Sequence, residues 1–83
     1  MKFVAKIEVS LKPGHSNPEG ETTARLLLEL GYKVNAVDVS KVYTVNLDAN
    51  SLSEAKAKAE EMSKRLLANP TKDNYTISVA EAK

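Results

Sequence analysis

Leu11-Lys12-Pro13-Gly14-His15-Ser16-Asn17-Pro18-Glu19-Gly20 holds two of the chain's three prolines and two of its three glycines, so most of its backbone punctuation falls in one place. Ahead of it the odd positions Phe3, Ala5, Ile7, Val9 and Leu11 are apolar, and the even ones include Lys6, Glu8 and Ser10. Period two with one apolar face predicts a half-buried strand. Behind it, Asn17 is placed to accept from free N–H groups as an N-cap, and Pro18 suits the first helical position. The stretch is a strand-to-helix corner. Helix N-termini favour anions, but Gly-x-Gly-x-x-Gly and the P-loop pattern are both absent, and simple chain reversal is the plainer reading.

Working outward, a helix is expected from Pro18 to Leu30, closed by Gly31 in the left-handed region with Tyr32 folding back on the last turn. Gly20, Ala24, Leu27, Leu28 and Gly31 share a face whose small residues suit close approach to a sheet. Leu26 and Leu30 fall elsewhere and suggest a second apolar surface, a candidate contact with another chain. From Val34 to Leu47 the chain is Val-rich, with Val37, Val39, Tyr43, Val45 and Leu47 on one face and Lys41 interrupting it. One straight strand of that length would span roughly 46 Å, too long for so small a domain. Asp38-Val39-Ser40-Lys41 lacks the Asn-Gly or Asp-Gly of a tight hairpin, so a long, bent or bulged strand is expected, with an overhang that pairs with a neighbour.

Ser51 and Glu54 form a capping box, and the helix it opens carries Leu52, Ala55, Ala59, Met62 and Leu66 at spacings of three and four. Glu54–Lys58, Glu60–Lys64 and Glu61–Arg65 are acid-first i,i+4 pairs on its outer side. Asn69-Pro70 ends the helix. Asp73-Asn74 is expected to turn the chain into a third strand with Tyr75, Ile77 and Val79 inward, and the last three residues to fray. The fold predicted is an α+β two-layer sandwich over a single domain, residues 1–83, in the order strand, helix, long bent strand, helix, strand. Both helices lie on one sheet face, ferredoxin-like in plan, and dimerisation completes it.

Eighty-three residues without cysteine make a small core with no disulfide to support it, which leaves oligomerisation as the stabilising device. A formal charge of +1 and four aromatic residues argue against nucleic acid. Neither a signal peptide nor a membrane span fits the apolar pattern, so the expected location is the cytoplasm. Thiol catalysis is excluded, and the lone His15 has no second histidine for a common zinc site. It also lacks the nucleophile-elbow context of a Ser-His-Asp site. Glu19 and Glu21 suit a first helical turn, Asp48 lies just ahead of a helix, and Glu8 is on a polar strand face. No catalytic or metal-binding set emerges.

Leu11-Lys12-Pro13-Gly14, Asn17-Pro18-Glu19-Gly20, Leu30-Gly31-Tyr32, Val37 and Val39 with Lys41, and Leu66-Leu67-Ala68-Asn69-Pro70 before Tyr75, taken in order, resemble the PurS family. That family is the small subunit of formylglycinamide ribonucleotide amidotransferase, or phosphoribosylformylglycinamidine synthase, of purine biosynthesis. The resemblance implies a non-catalytic subunit, a homodimer or tetramer, that bridges a glutaminase subunit and an ATP-using synthetase subunit so that ammonia passes between them. The complex would use ATP, magnesium and glutamine, with no cofactor bound by this chain. Departures fall at His15-Ser16-Asn17, where the family commonly has apolar residues and an aspartate, and at Ser40, where it often has glycine. Candidate contacts with partner subunits are Lys12, His15 and Asn69; candidate homodimer contacts are Val37, Val39, Lys41 and Tyr43. The alternative is a ferredoxin-like, ACT-type dimeric module that binds a small effector.

Overall fold

The computed structural model describes residues 1–82. Three strands, β1 (Lys2–Leu11), β2 (Lys41–Asp48) and β3 (Asp73–Glu81), form one antiparallel sheet in the order β2-β1-β3. Helix α1 (Pro18–Glu29) follows β1, and α2 (Leu52–Met62) follows β2, running on into a π-helical turn, Ser63–Leu67. This is the α+β order expected.

The central strand carries the core. Phe3, Ala5, Ile7 and Val9 are buried, and Tyr43, Val45, Leu47, Tyr75, Ile77 and Val79 flank them from the two outer strands. Helix α2 meets this face with Ala55 and Ala59, residues small enough to let its backbone come close. Its N-terminus is capped as expected, Glu54 N–H donating to Ser51 Oγ at 3.1 Å. The return bond is made one residue earlier than a strict capping box, from Asn50 N–H to Glu54 Oε2 at 3.2 Å.

Four details differ from the sequence reading, each for a local reason. The inner stripe of α2 does not run through Met62 and Leu66. The π turn, closed by Ala68 N–H to Ser63 O at 2.9 Å, rotates Ser63 and Ala68 inward and leaves Leu66 83% exposed. Ser63 tolerates full burial because its hydroxyl donates to Ala59 O at 2.8 Å. The turn into β3 is Asn69–Lys72, not Asp73-Asn74: Asp73 N–H donates to Asn69 O at 2.8 Å, Asp73 Oδ2 accepts from Asn69 N–H and Asn69 Oδ1 from Thr71 N–H, each at 2.9 Å. The end of the chain is tied down where fraying was expected. Glu81 pairs with Phe3, and Ala82 N–H donates to Lys2 O at 2.8 Å; Lys83 lies outside the described residues.

The fourth difference concerns the long strand and the first helix. Only Lys41–Asp48 pairs with β1; residues 34–40 run beyond the sheet without a ladder partner. Over residues 37–40 exposure alternates, with Val37 and Val39 half-buried and Asp38 and Ser40 exposed, so period two appears where there is no ladder partner. Helix α1 contributes no residue to either core cluster, and its one buried residue is Gly20. In the single chain the helical layer over the sheet is therefore α2 alone. The molecule measures 51 × 30 × 14 Å, long and thin for its size.

Candidate functional site

The corner is built from one turn and one cap. His15 N–H donates to Lys12 O at 3.3 Å across Pro13 and Gly14, and Gly14 has φ +91°. Proline at the second position and a positive-φ glycine at the third make this a type II turn. Asn17 then does two things: Oδ1 accepts from Gly20 N–H at 3.0 Å, and Nδ2 donates to Val39 O at 3.3 Å. The departure from aspartate at this position therefore keeps the cap and adds an amide donor that a carboxylate lacks. Gly20 presses against the connecting segment, where a Cβ would strike the Val37 carbonyl oxygen. At the far end of α1, Gly31 N–H donates to Leu28 O and Tyr32 N–H to Leu27 O, each at 3.0 Å, with Gly31 at φ +98°. This is the expected glycine closure in Schellman form. Ser40 is not in the left-handed region, so it fills the family's glycine position without strain.

The structure brings together two of the three candidate partner contacts. Lys12 N–H donates to Lys72 O at 2.7 Å and its Nζ to Pro70 O at 2.9 Å, which fastens the end of β1 to the turn that begins at Asn69. Lys12 is thus half-buried and engaged within the chain. His15 is exposed, next to Lys12 across the turn, on the rim of a cleft of about 460 Å³ that takes in Lys12, Asn17, Asp38 and Ser40. Of the candidate homodimer contacts, Lys41 and Tyr43 lie on β2, opposite Val9 and Ile7, on the outer edge of the sheet. Val37 and Val39 lie beyond it against the start of α1.

Two polar links escaped sequence reasoning. Tyr75 Oη donates to Glu60 Oε1 at 2.7 Å, joining β3 to α2, while Lys64 sits 3.4 Å from the same oxygen. The tyrosine bond, and after it Lys64, hold the Glu60 carboxyl below its ordinary value, and the carboxylate in turn raises the Tyr75 phenol. Ser40 Oγ donates to Glu8 Oε2 at 2.7 Å. Helical periodicity cannot announce either bond, because each joins separate elements. All three i,i+4 ion pairs form, at 3.1, 3.4 and 3.0 Å. Among the described residues no three His, Asp or Glu side chains come together to hold a metal ion, and no helix is long and apolar enough to cross a membrane.

The arrangement is one of caps, turns and apolar edges. Its likeness to known proteins is of the same whole-chain kind: residues 4–81 match the family model for PurS, phosphoribosylformylglycinamidine (FGAM) synthase. The chain belongs to the PurS family. It is 40% identical over 81 residues to the phosphoribosylformylglycinamidine synthase subunit PurS of Methanothermobacter thermautotrophicus, covering 98% of this chain and 96% of that one. Thermus thermophilus PurS superposes with a TM-score of 0.91 at 33% identity, over all of both chains. A chain of the Thermotoga maritima PurLQS structure matches with a TM-score of 0.87 at 25% identity, over 96% of this chain and 99% of that one. The PurS structures thus match the order β-α-β-α-β.

Proposed function

We propose that this chain is the small, non-catalytic subunit of phosphoribosylformylglycinamidine synthase in de novo purine biosynthesis. It bridges a glutaminase subunit and an ATP-dependent synthetase subunit and supports transfer of ammonia from the first to the second. The observation that carries this reading is the end-to-end match to a chain of the PurLQS assembly of Thermotoga maritima. The complex uses ATP, magnesium and glutamine; this chain binds none of them itself. It works in the cytoplasm as a homodimer or tetramer, with Val37, Val39, Lys41 and Tyr43 toward the other copy, and it takes neither nucleic acid nor membrane as a partner. His15 faces the partner subunits, and Lys12 and Asn69 shape the neighbouring surface through the bond from Lys12 Nζ to Pro70 O. The small-effector reading gains nothing from the corner, whose Gly14 is already committed to the type II turn.

Reconstitution tests this. Mixed with the glutaminase and synthetase subunits, glutamine and nucleotide, the chain is expected to co-elute with both, and its omission to abolish glutamine-dependent amidation. No complex, together with undiminished amidation without it, overturns the reading.

A further inference from the structure

The order β2-β1-β3 leaves the sheet two outer edges. The homodimer contacts Lys41 and Tyr43 lie on β2, so β3 is the edge that the homodimer reading leaves open. Its orientation is fixed at both ends, where Lys12 N–H donates to Lys72 O and Ala82 N–H to Lys2 O. In an antiparallel ladder bonded pairs alternate with unbonded ones. The register of β1 with β3 runs unbroken between those two bonds, so the even residues of β3 bond to β1, and the backbone N–H and C=O of Tyr75, Ile77 and Val79 point outward. Among the described residues nothing bonds to them.

Burial and charge define what would fit there. Tyr75, Ile77 and Val79 are half-buried, whereas the residues opposite them in β1, Val9, Ile7 and Ala5, are buried, so the apolar face stays open along its outer flank. Acids close the strand at both ends, Asp73 and Glu81. Pairing β3 over its full length with β3 of a second copy, antiparallel about a twofold axis at Ile77, would set Asp73 against Glu81 at each end. Like charges directly opposite are destabilising. No proline, lysine or bulge interrupts the nine residues, so the acids are the edge's only guard.

We propose that β3 is a docking edge for an extended segment of a partner subunit, with apolar residues at alternate positions and Lys or Arg opposite Asp73 and Glu81. The segment joins the sheet through main-chain hydrogen bonds to Tyr75, Ile77 and Val79. This rests on the assembly-subunit reading above and gives that reading a surface. The main chain supplies affinity, while the two acids set the register and select against a second copy of this chain.

Hydrogen exchange read residue by residue tests this. In the chain alone the amides of Tyr75, Ile77 and Val79 are expected to exchange at least about tenfold faster than those of Thr76 and Ser78, and in the reconstituted complex with the glutaminase and synthetase subunits to slow by at least about tenfold. A complex that forms while these three amides keep their free rate overturns the docking edge and leaves the assembly role standing. With no complex at all, the assembly role falls and the edge with it. Protection that appears in the chain alone and grows with its concentration puts a second copy on the edge and overturns the choice of partner. Glu81→Lys, at an exposed position, is expected to raise the dissociation constant of the complex about tenfold with the melting temperature kept, and Glu81→Gln to raise it less. An unchanged constant for Glu81→Lys overturns the basic segment.

Discussion

The Glu60–Tyr75 bond shows how a single contact sets a response to pH. A carboxyl held below its unfolded value contributes stability that is complete above the unfolded carboxylate range and disappears as pH falls through the depressed folded value. Glu60 is held down first by Tyr75 and Glu54 first by Lys58, so the fold is expected to lose stability on acidification through that window. Tyr75→Phe removes the larger cause at Glu60. The Glu60 carboxyl, followed by carbon-detected NMR, is expected to titrate higher, and the acid-side fall in urea midpoint to flatten. Tyr75 mirrors this at high pH: its raised folded value means stability present below the unfolded phenol value and lost as pH climbs past it. Gly20 makes a steric prediction. Alanine there recovers about 1 kcal/mol of helix propensity but drives a methyl into a backbone carbonyl that cannot rotate away, at a cost of about 1–3 kcal/mol. Gly20→Ala is therefore expected to lower the melting temperature or to loosen α1 from residues 34–40, seen as faster amide exchange at Val37 to Val39.

At the scale of elements, the caps were legible because they are written in adjacent residues. Asn17, Gly31, Ser51 and the three ion pairs all do what their spacing suggests. Asn17→Ala is expected to cost about 1–2 kcal/mol, since it removes both the cap and the amide bond to Val39 O, and urea titration reads this directly. The alternation of β1 and β3 was equally plain, since one buried face imposes it. What the sequence did not reveal was placement. Nothing near Ser63 announces a π turn, because a five-residue hydrogen bond leaves the local composition of a good helix intact; only the burial of Ser63 in place of Leu66 betrays it. The paired length of β2 was hidden for another reason. Residues 37–40 have strand-like alternation but no strand beside them within the chain, and periodicity reports the face a residue presents, not whether a neighbour is there. Of the candidate contacts, Lys12 had no local sign of its bond, since Lys12 Nζ and Pro70 O belong to residues 58 apart in sequence.

For the whole molecule, the small core sets the terms. Among the described residues Phe3 and Ile7 are the only large fully buried apolar side chains, and the helix above them meets the sheet through alanine. So small a core gives the single chain little stability of its own, and on the proposed homodimer the melting temperature is expected to rise with protein concentration over the micromolar range, as calorimetry at several dilutions would show. A fixed midpoint would mean that the single chain is sufficient. The strand order β2-β1-β3 also has a consequence in time. The middle strand is synthesised first, and one of its neighbours last, with Phe3 opposite Glu81. β1 therefore stays open on one side until β3, which follows both helices in the sequence, has been made. Closing the sheet on that side is thus a late step, and a truncation that costs only β3 is expected to leave a product for chaperones and proteases to clear.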